Sequence, residues 1–161
     1  MKMSKAVMLI VAAIGLMTLM STTCTKEESN DPGSCTGYVS AKASGDITAN
    51  LCFDELNSYN YAPNTSVSLW ARSSGSSYGF DISINPNDGS AITPGTYQCG
   101  SGFGFVELIW ETDDDSEFYK SHSGTITVTK INADHFEATF NVVAIGYYNN
   151  KTINYSGTVK K

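Results

Sequence analysis

Charge and histidine are scarce in this chain, and each scarcity removes a class of function. Only 16% of the 161 residues are charged, against 11% aromatic, which excludes an intrinsically disordered protein, since such chains need more charge and fewer rings. The 10 basic side chains are outnumbered by 16 acidic ones and form no stripe. Phosphate neutralisation therefore has nothing to work with, and nucleic acid is excluded as a partner. Removing residues 1–23 would take away Lys2 and Lys5 and leave 8 basic against 16 acidic side chains, a balance of −8. The two histidines are His122 and His135, with Ser121, Ser123 and Asp134 beside them. A hydrolase would need a Gly-x-Ser-x-Gly elbow or a comparable framework, and none is present. Both are read as surface histidines near strand starts, and neither enzyme activity nor a cofactor is expected.

Long apolar runs are missing too, with one exception. Ala6 to Met20 reads "AVMLIVAAIGLMTLM". It is short for a bilayer span, which takes roughly 20 apolar residues. It suits the core of a secretory signal, with Lys2 and Lys5 before it and the small residues Ser21, Thr22 and Thr23 after it. Cys24 then stands where a lipoprotein signal places its modified cysteine. A thiol is nucleophilic enough to take a diacylglyceryl thioether, and two or three acyl chains, at about 0.8 kcal/mol per buried CH₂, make a permanent anchor. Position −3 is Ser21 rather than leucine, so ordinary cleavage after Thr23 is the alternative. "TKEESNDPGS", from Thr25 to Ser34, is polar, contains Pro32-Gly33 and has no apolar periodicity. The expected organisation is a signal peptide over 1–23, a lipidated flexible tether over 24–34 and one domain over 35–161.

Beyond Cys24 only Cys35, Cys52 and Cys99 remain. Three cysteines allow at most one internal bridge, and the sequence does not say which pair forms it. Their spacing fits no zinc motif. "ETDDDSE", Glu111 to Glu117, holds five carboxylates. An oxygen-rich loop of this kind attracts Ca²⁺, but it matches no calcium loop and lacks a glycine at the bend. It is read as a solvated hairpin tip, with Ca²⁺ binding at Asp113 to Asp115 left open and no metal site expected.

What the domain has in quantity is short β-patterned runs separated by turns. From Val39 to Phe53 the apolar residues fall on odd positions, the pattern of one half-buried strand, with Gly45 as a bend or bulge. Further strands are expected at Ser66–Ser73, Tyr78–Asn85, Phe103–Thr112, Gly124–Ile131, His135–Ile145 and Thr152–Lys160, with "SSGSS", "NPNDGS", "TPGTY", "INAD" and "YYNNK" as turns. Only Phe53–Tyr59 offers a short helical turn. Six or more strands without crossover helices predict an all-β antiparallel sandwich or partly open barrel. Phe103–Thr112 is apolar on both faces, so it is either central and covered twice or carries a binding surface.

Tyrosines suggest where such a surface lies. "NSYNYAPN" places Tyr59 and Tyr61 in a loop among asparagines, and "GYYNNK" repeats the theme with Tyr147 and Tyr148. Flat rings stack on sugar C–H faces while amides bind hydroxyls, so Tyr59, Tyr61, Trp110, Tyr147 and Tyr148 are the candidate ligand contacts. The competing reading has tyrosines plugging the ends of the sandwich and Trp70 and Trp110 in its core.

Two resemblances bear on address and fold. "CTKEES" resembles the surface-export signal of Bacteroidota lipoproteins, with Cys24 lipidated and Lys26, Glu27 and Glu28 forming the signal. The resemblance implies an outer-membrane protein, lipid-anchored and facing the cell exterior. "ITPGTYQC", "SGTITVTKINADHFEATFNVVA" and "KTINYSGTVKK" together resemble a class of Bacteroidota β-sandwich lipoprotein domains with no assigned activity. The matching positions are Gly95, Thr96, Tyr97, Ser123 to Lys130 and Gly157, over the last two thirds of the domain. The resemblance carries no site with it; the expectation is a non-catalytic binding or accessory module, with glycans as the ligand class that the tyrosine clusters suggest. A structural component of a surface assembly, pairing with another protein, is the alternative.

Overall fold

The computed structural model describes residues 35–161 apart from 76, 77, 87, 101–103 and 112–115. The signal peptide, the tether, Cys24, Lys26, Glu27, Glu28 and the Asp113–Asp115 loop all lie outside the described residues. Ten strands are present: β1 Val39–Gly45, β2 Ala49–Phe53, β3 Glu55–Ala62, β4 Ser66–Arg72, β5 Tyr78–Ile84, β6 Gly95–Gln98, β7 Gly104–Glu111, β8 Ser116–Ile131, β9 Phe136–Gly146 and β10 Thr152–Lys160. They form one antiparallel sheet in the order β2-β1-β10-β9-β8-β7-β5-β4-β3, with β6 branching off β8. The end strands β2 and β3 are consecutive in the chain, joined by Asp54 alone. The sheet must therefore curl back on itself, and the result is an all-β, nearly closed barrel-like shape. This matches the fold class expected from the sequence.

The core is the inside of that curl. Phe80 on β5 lies 5.5 Å from Phe53 and 5.4 Å from Phe140 by ring centroid, and Phe140 lies 5.1 Å from Tyr155. Such tilted pairs add about 0.5–1.5 kcal/mol each beyond the area they bury. The bridge is Cys35–Cys52, which ties the start of the domain to β2, while Cys99 is free and buried. Closing a loop of that separation, 17 residues, stabilises by about 3 kcal/mol on the chain-entropy account.

Several expected elements differ. Val39–Phe53 is not one strand but the hairpin β1–β2, turning at Gly45, which takes φ +118°. The register pairs Val39 with Phe53 and Ala43 with Ala49, odd with odd, so the inward alternation survives the reversal and conceals it. Phe53–Tyr59 forms no helical turn, and Tyr59 and Tyr61 are not in a loop. They belong to β3, whose bulge between Leu56 and Ser58 breaks the alternation that would have marked a strand. The "TPGTY" turn contributes Gly95–Gln98 as the short strand β6. β8 begins at Ser116, ahead of the expected Gly124, and a register shift between Ser121 and Ser123 switches its inward face. Tyr119 and Ser121 are buried before the shift, Ile126 and Val128 after it. His122 therefore sits in the middle of a strand, not near its start. Trp70 is not in the core but half-buried, opposite Asp81.

Candidate functional site

The sheet has a second face, turned away from the core, and its outward positions fall into a row. Cross-strand pairing sets Trp70 on β4 opposite Asp81 on β5, Asp81 opposite Glu107 on β7, Glu107 opposite Lys120 on β8, and Lys120 opposite Ile145 on β9. Phe105 and Ile109 flank Glu107 on β7 at the same parity, half-buried, while Val106 and Leu108 between them are fully buried in the core. The doubly apolar strand is thus central, with one face in the core and the other forming part of an outer patch.

At one end of this row lies the β9–β10 turn, which carries Tyr147 and Tyr148. They are 74% and 64% exposed, the large hydrophobic side chains left open among the described residues. The turn beneath them is fixed by many bonds. Glu117 accepts the backbone N–H of Tyr148 at 2.9 Å and Phe118 at 3.0 Å through one carboxylate oxygen, and that of Asn149 at 2.8 Å through the other. Asn149 donates its amide to the Tyr119 hydroxyl at 2.8 Å and accepts the Lys151 N–H at 2.7 Å. Asn150 takes φ 54°, a left-handed conformation that asparagine tolerates better than most residues. A Cβ on Gly146 would lie 2.2 Å from the Asn149 carboxamide oxygen, so a side chain there would push the Asn149 amide off its bonds to Tyr119 and Lys151. The result is a rigid stand for two rings: Tyr147 and Tyr148 meet edge to face at 4.9 Å, and Phe118 lies 6.3 Å from Tyr148.

A hollow of about 450 Å³ opens beside these rings, lined by Glu107, Phe118, Lys120, Ile145, Tyr147 and Tyr148. A second hollow of about 330 Å³ sits at the fork where β6 and β7 part on β8, and Lys120 lines both. At that fork the Ser121 hydroxyl accepts the Val106 N–H at 2.9 Å, and His122, Asn85, Ser83 and Phe105 line the walls. Lys120 places its ammonium 4.5 Å from the centroid of the Phe105 ring, a cation–π contact.

Electrostatics on this face are unusual for an exposed sheet. Asp81 is pushed up to about 6, first by burial and then by the charge of Glu107, with Lys120 opposing. Burial also raises Glu107 above the usual carboxylate range, again against Lys120. The Asp81 Oδ1 is buried and has no hydrogen-bond partner among the described residues.

The other candidate tyrosines are elsewhere. Tyr59 and Tyr61 pair with Leu69 and Val67 and share their core-facing side of the sheet. The Tyr59 hydroxyl donates to the Asn132 carbonyl at 2.6 Å, its ring stacks on Phe136 at 6.2 Å, and Lys161 lies 4.4 Å over it. Desolvation pushes Tyr59 up to about 12. Asn132 and Tyr147 flank opposite ends of the 11-residue β9, so the two tyrosine pairs are separated by roughly 35 Å of strand. Trp110 lies on β7 opposite Tyr78 and Glu117, and its side chain lies outside the described residues. The structure therefore brings together Tyr147 and Tyr148 and leaves Tyr59 and Tyr61 apart from them. Sequence reasoning missed Phe118, Glu107, Lys120 and Ile145. The available signal was the outward set of the doubly apolar strand, in which a lone glutamate stands between Phe105 and Ile109. Among the described residues no cluster of metal-ligating side chains occurs, and no helix is long and apolar enough to cross a membrane. No family model, curated protein or solved structure matches the chain.

Proposed function

We propose that this protein is a lipid-anchored cell-surface binding module that holds glycans on the Tyr147–Tyr148 turn without acting on them chemically. The observation that carries the reading is the turn itself: two exposed rings that meet edge to face on a hydrogen-bonded turn beside an open hollow. Exposed aromatic side chains are normally mobile, and ordering them on binding costs about 0.5–1.5 kcal/mol each. Here Glu117 and Asn149 fix the backbone in advance, so only the side-chain torsions of the two rings remain to be ordered. A sugar ring stacks on one tyrosine while the hydroxyls of both, with Lys120 and Glu107, supply hydrogen bonds. The address rests on Ala6–Met20, Cys24 and the Lys26-Glu27-Glu28 cluster, which favour an anchor in the outer membrane with the domain facing out.

A thermal-shift screen against host and dietary polysaccharides tests the binding. A ligand at 100 times its dissociation constant adds about 2.7 kcal/mol to the folded state. Such a shift, lost in Tyr147→Ala and Tyr148→Ala, is the expected result; a flat response across the panel removes the reading. Protease treatment of intact cells tests the address, since a domain cut only after the outer membrane is broken does not face outward. One observation favours a second reading, a structural part of a surface assembly. β3 ends the sheet, and from Leu56 to Ala62 it carries no charge and no proline to deter pairing with another strand. Concentration-dependent oligomers that Asn60→Lys abolishes would mark that role.

A further inference from the structure

Asp81 and Glu107 face each other across β5 and β7 on the outer side of the sheet. Like charges directly opposite on neighbouring strands destabilise a sheet, so the pair calls for a compensating cation. Neither carboxylate forms an ion pair with a described residue, and Asp81 keeps one oxygen buried without a donor. The one cation in the row, Lys120, stands opposite Glu107 but rests its ammonium on the Phe105 ring, so a single positive charge offsets two carboxylates only in part. Glu107 also lines the hollow whose other walls are Phe118, Lys120, Ile145, Tyr147 and Tyr148, so one ammonium stands there against Glu107 with Asp81 behind it. Aromatic faces and a half-shielded carboxylate around one space form the chemistry that recognises an alkylammonium group, through the ring quadrupole and the counter-charge together.

We infer that the hollow takes a sugar unit bearing a free ammonium group, seated on Tyr147, Tyr148 and Phe118 with Glu107 as its counter-charge and Asp81 behind it. This rests on the reading of the tyrosine turn as a glycan contact and narrows it to amino sugars that are not N-acetylated. The ligand cation satisfies what the fold leaves unmet on this face. A neutral N-acetyl group in the same place would leave Glu107 desolvated and unpaired. An acidic sugar would face Glu107, with Asp81 behind it and only Lys120 to offset the two.

The test uses the full-length chain in a polyoxyethylene detergent, whose headgroups carry no sugar, and calorimetric titration in slightly acidic buffer. The probes are a short glucosamine oligomer, the fully N-acetylated oligomer of the same length, and a lysine-rich peptide. The expected result is glucosamine oligomer binding about tenfold tighter than its acetylated counterpart, or about 1.4 kcal/mol. That preference falls with added salt and disappears in Glu107→Gln, while Tyr148→Ala weakens both oligomers. Equal or tighter binding of the acetylated oligomer overturns the inference and leaves the glycan reading standing. Failure of both oligomers to bind overturns the inference, and Tyr147 and Tyr148 ring signals unmoved by any polysaccharide would remove the glycan reading as well. A lysine-rich peptide binding more tightly than the glucosamine oligomer also overturns the inference, by giving the same ammonium chemistry a protein source.

Discussion

Tyr59 and Tyr61 stand in "NSYNYAPN", Tyr147 and Tyr148 in "GYYNNK", and the two segments share a composition of tyrosine and asparagine. In the fold the first pair turns inward from an edge strand, with Tyr59 stacked on Phe136 and hydrogen-bonded to Asn132. The second pair stands in water on a turn fixed by Glu117. Composition is therefore not what makes a tyrosine a platform. Parity along a strand decides it in β3, where the residues after the bulge alternate inward. A chain reversal decides it after β9, where no strand face exists and both rings can project outward. The lesson is that adjacent aromatics on a turn remain open, while aromatics spaced by two are claimed by a sheet.

Substitutions break this comparison in graded ways. Tyr59→Ala has the largest expected effect, a loss of about 2–3 kcal/mol in chemical denaturation, because it removes a half-buried ring and its bond to Asn132. If Tyr59 were a free ligand contact, stability would barely move.

A pH scan comes next. Asp81 binds its proton more tightly in the folded chain than unfolded, so its contribution is most favourable below pH ~4 and is lost as pH rises through about 6. After allowing for solvent screening on this partly open face, that loss is on the order of 1–2 kcal/mol. Asp81→Asn should flatten the wild-type decline between pH 4 and 6, and an unchanged slope would mean that the Asp81 proton is not coupled to folding.

Glu117→Gln removes the charge that holds three backbone N–H groups, with an expected cost of about 1 kcal/mol. Amide exchange at Tyr148 and Asn149 should quicken while that of the core strands does not. Tyr155→Phe sharpens the inward side of the comparison. Its hydroxyl is buried without a partner among the described residues, so deleting it should raise stability by about 1 kcal/mol. Smallest of all, Tyr147→Ala and Tyr148→Ala should stay within about 0.5 kcal/mol of wild type in stability while abolishing any glycan response.

Much of the fold was legible because β-sheet parity writes itself into sequence. The runs at Ser66, Tyr78, Phe103, His135 and Thr152 became strands with shifts of a residue or so at their ends. What was hidden was hidden by geometry that breaks or mimics parity. The β1–β2 hairpin kept odd residues inward through its turn, and the bulges near Leu56 and His122 reversed the pattern within β3 and β8. The site was half legible. Tyr147 and Tyr148 were visible as aromatics in a turn, but Glu107, Phe118, Lys120 and Ile145 come from three different strands, and only the pairing register sets them side by side. Glu117, read as one of five carboxylates in an acidic tip, instead organises the turn opposite.

The most direct measurement is a ring-resonance NMR titration of the full-length chain, with tyrosines assigned by substitution, against the polysaccharide panel. The expected result is that the Tyr147 and Tyr148 ring signals shift on adding a bound glycan while those of Tyr59 and Tyr155 stay in place. Shifts at Tyr59 with Tyr147 and Tyr148 unmoved would contradict it.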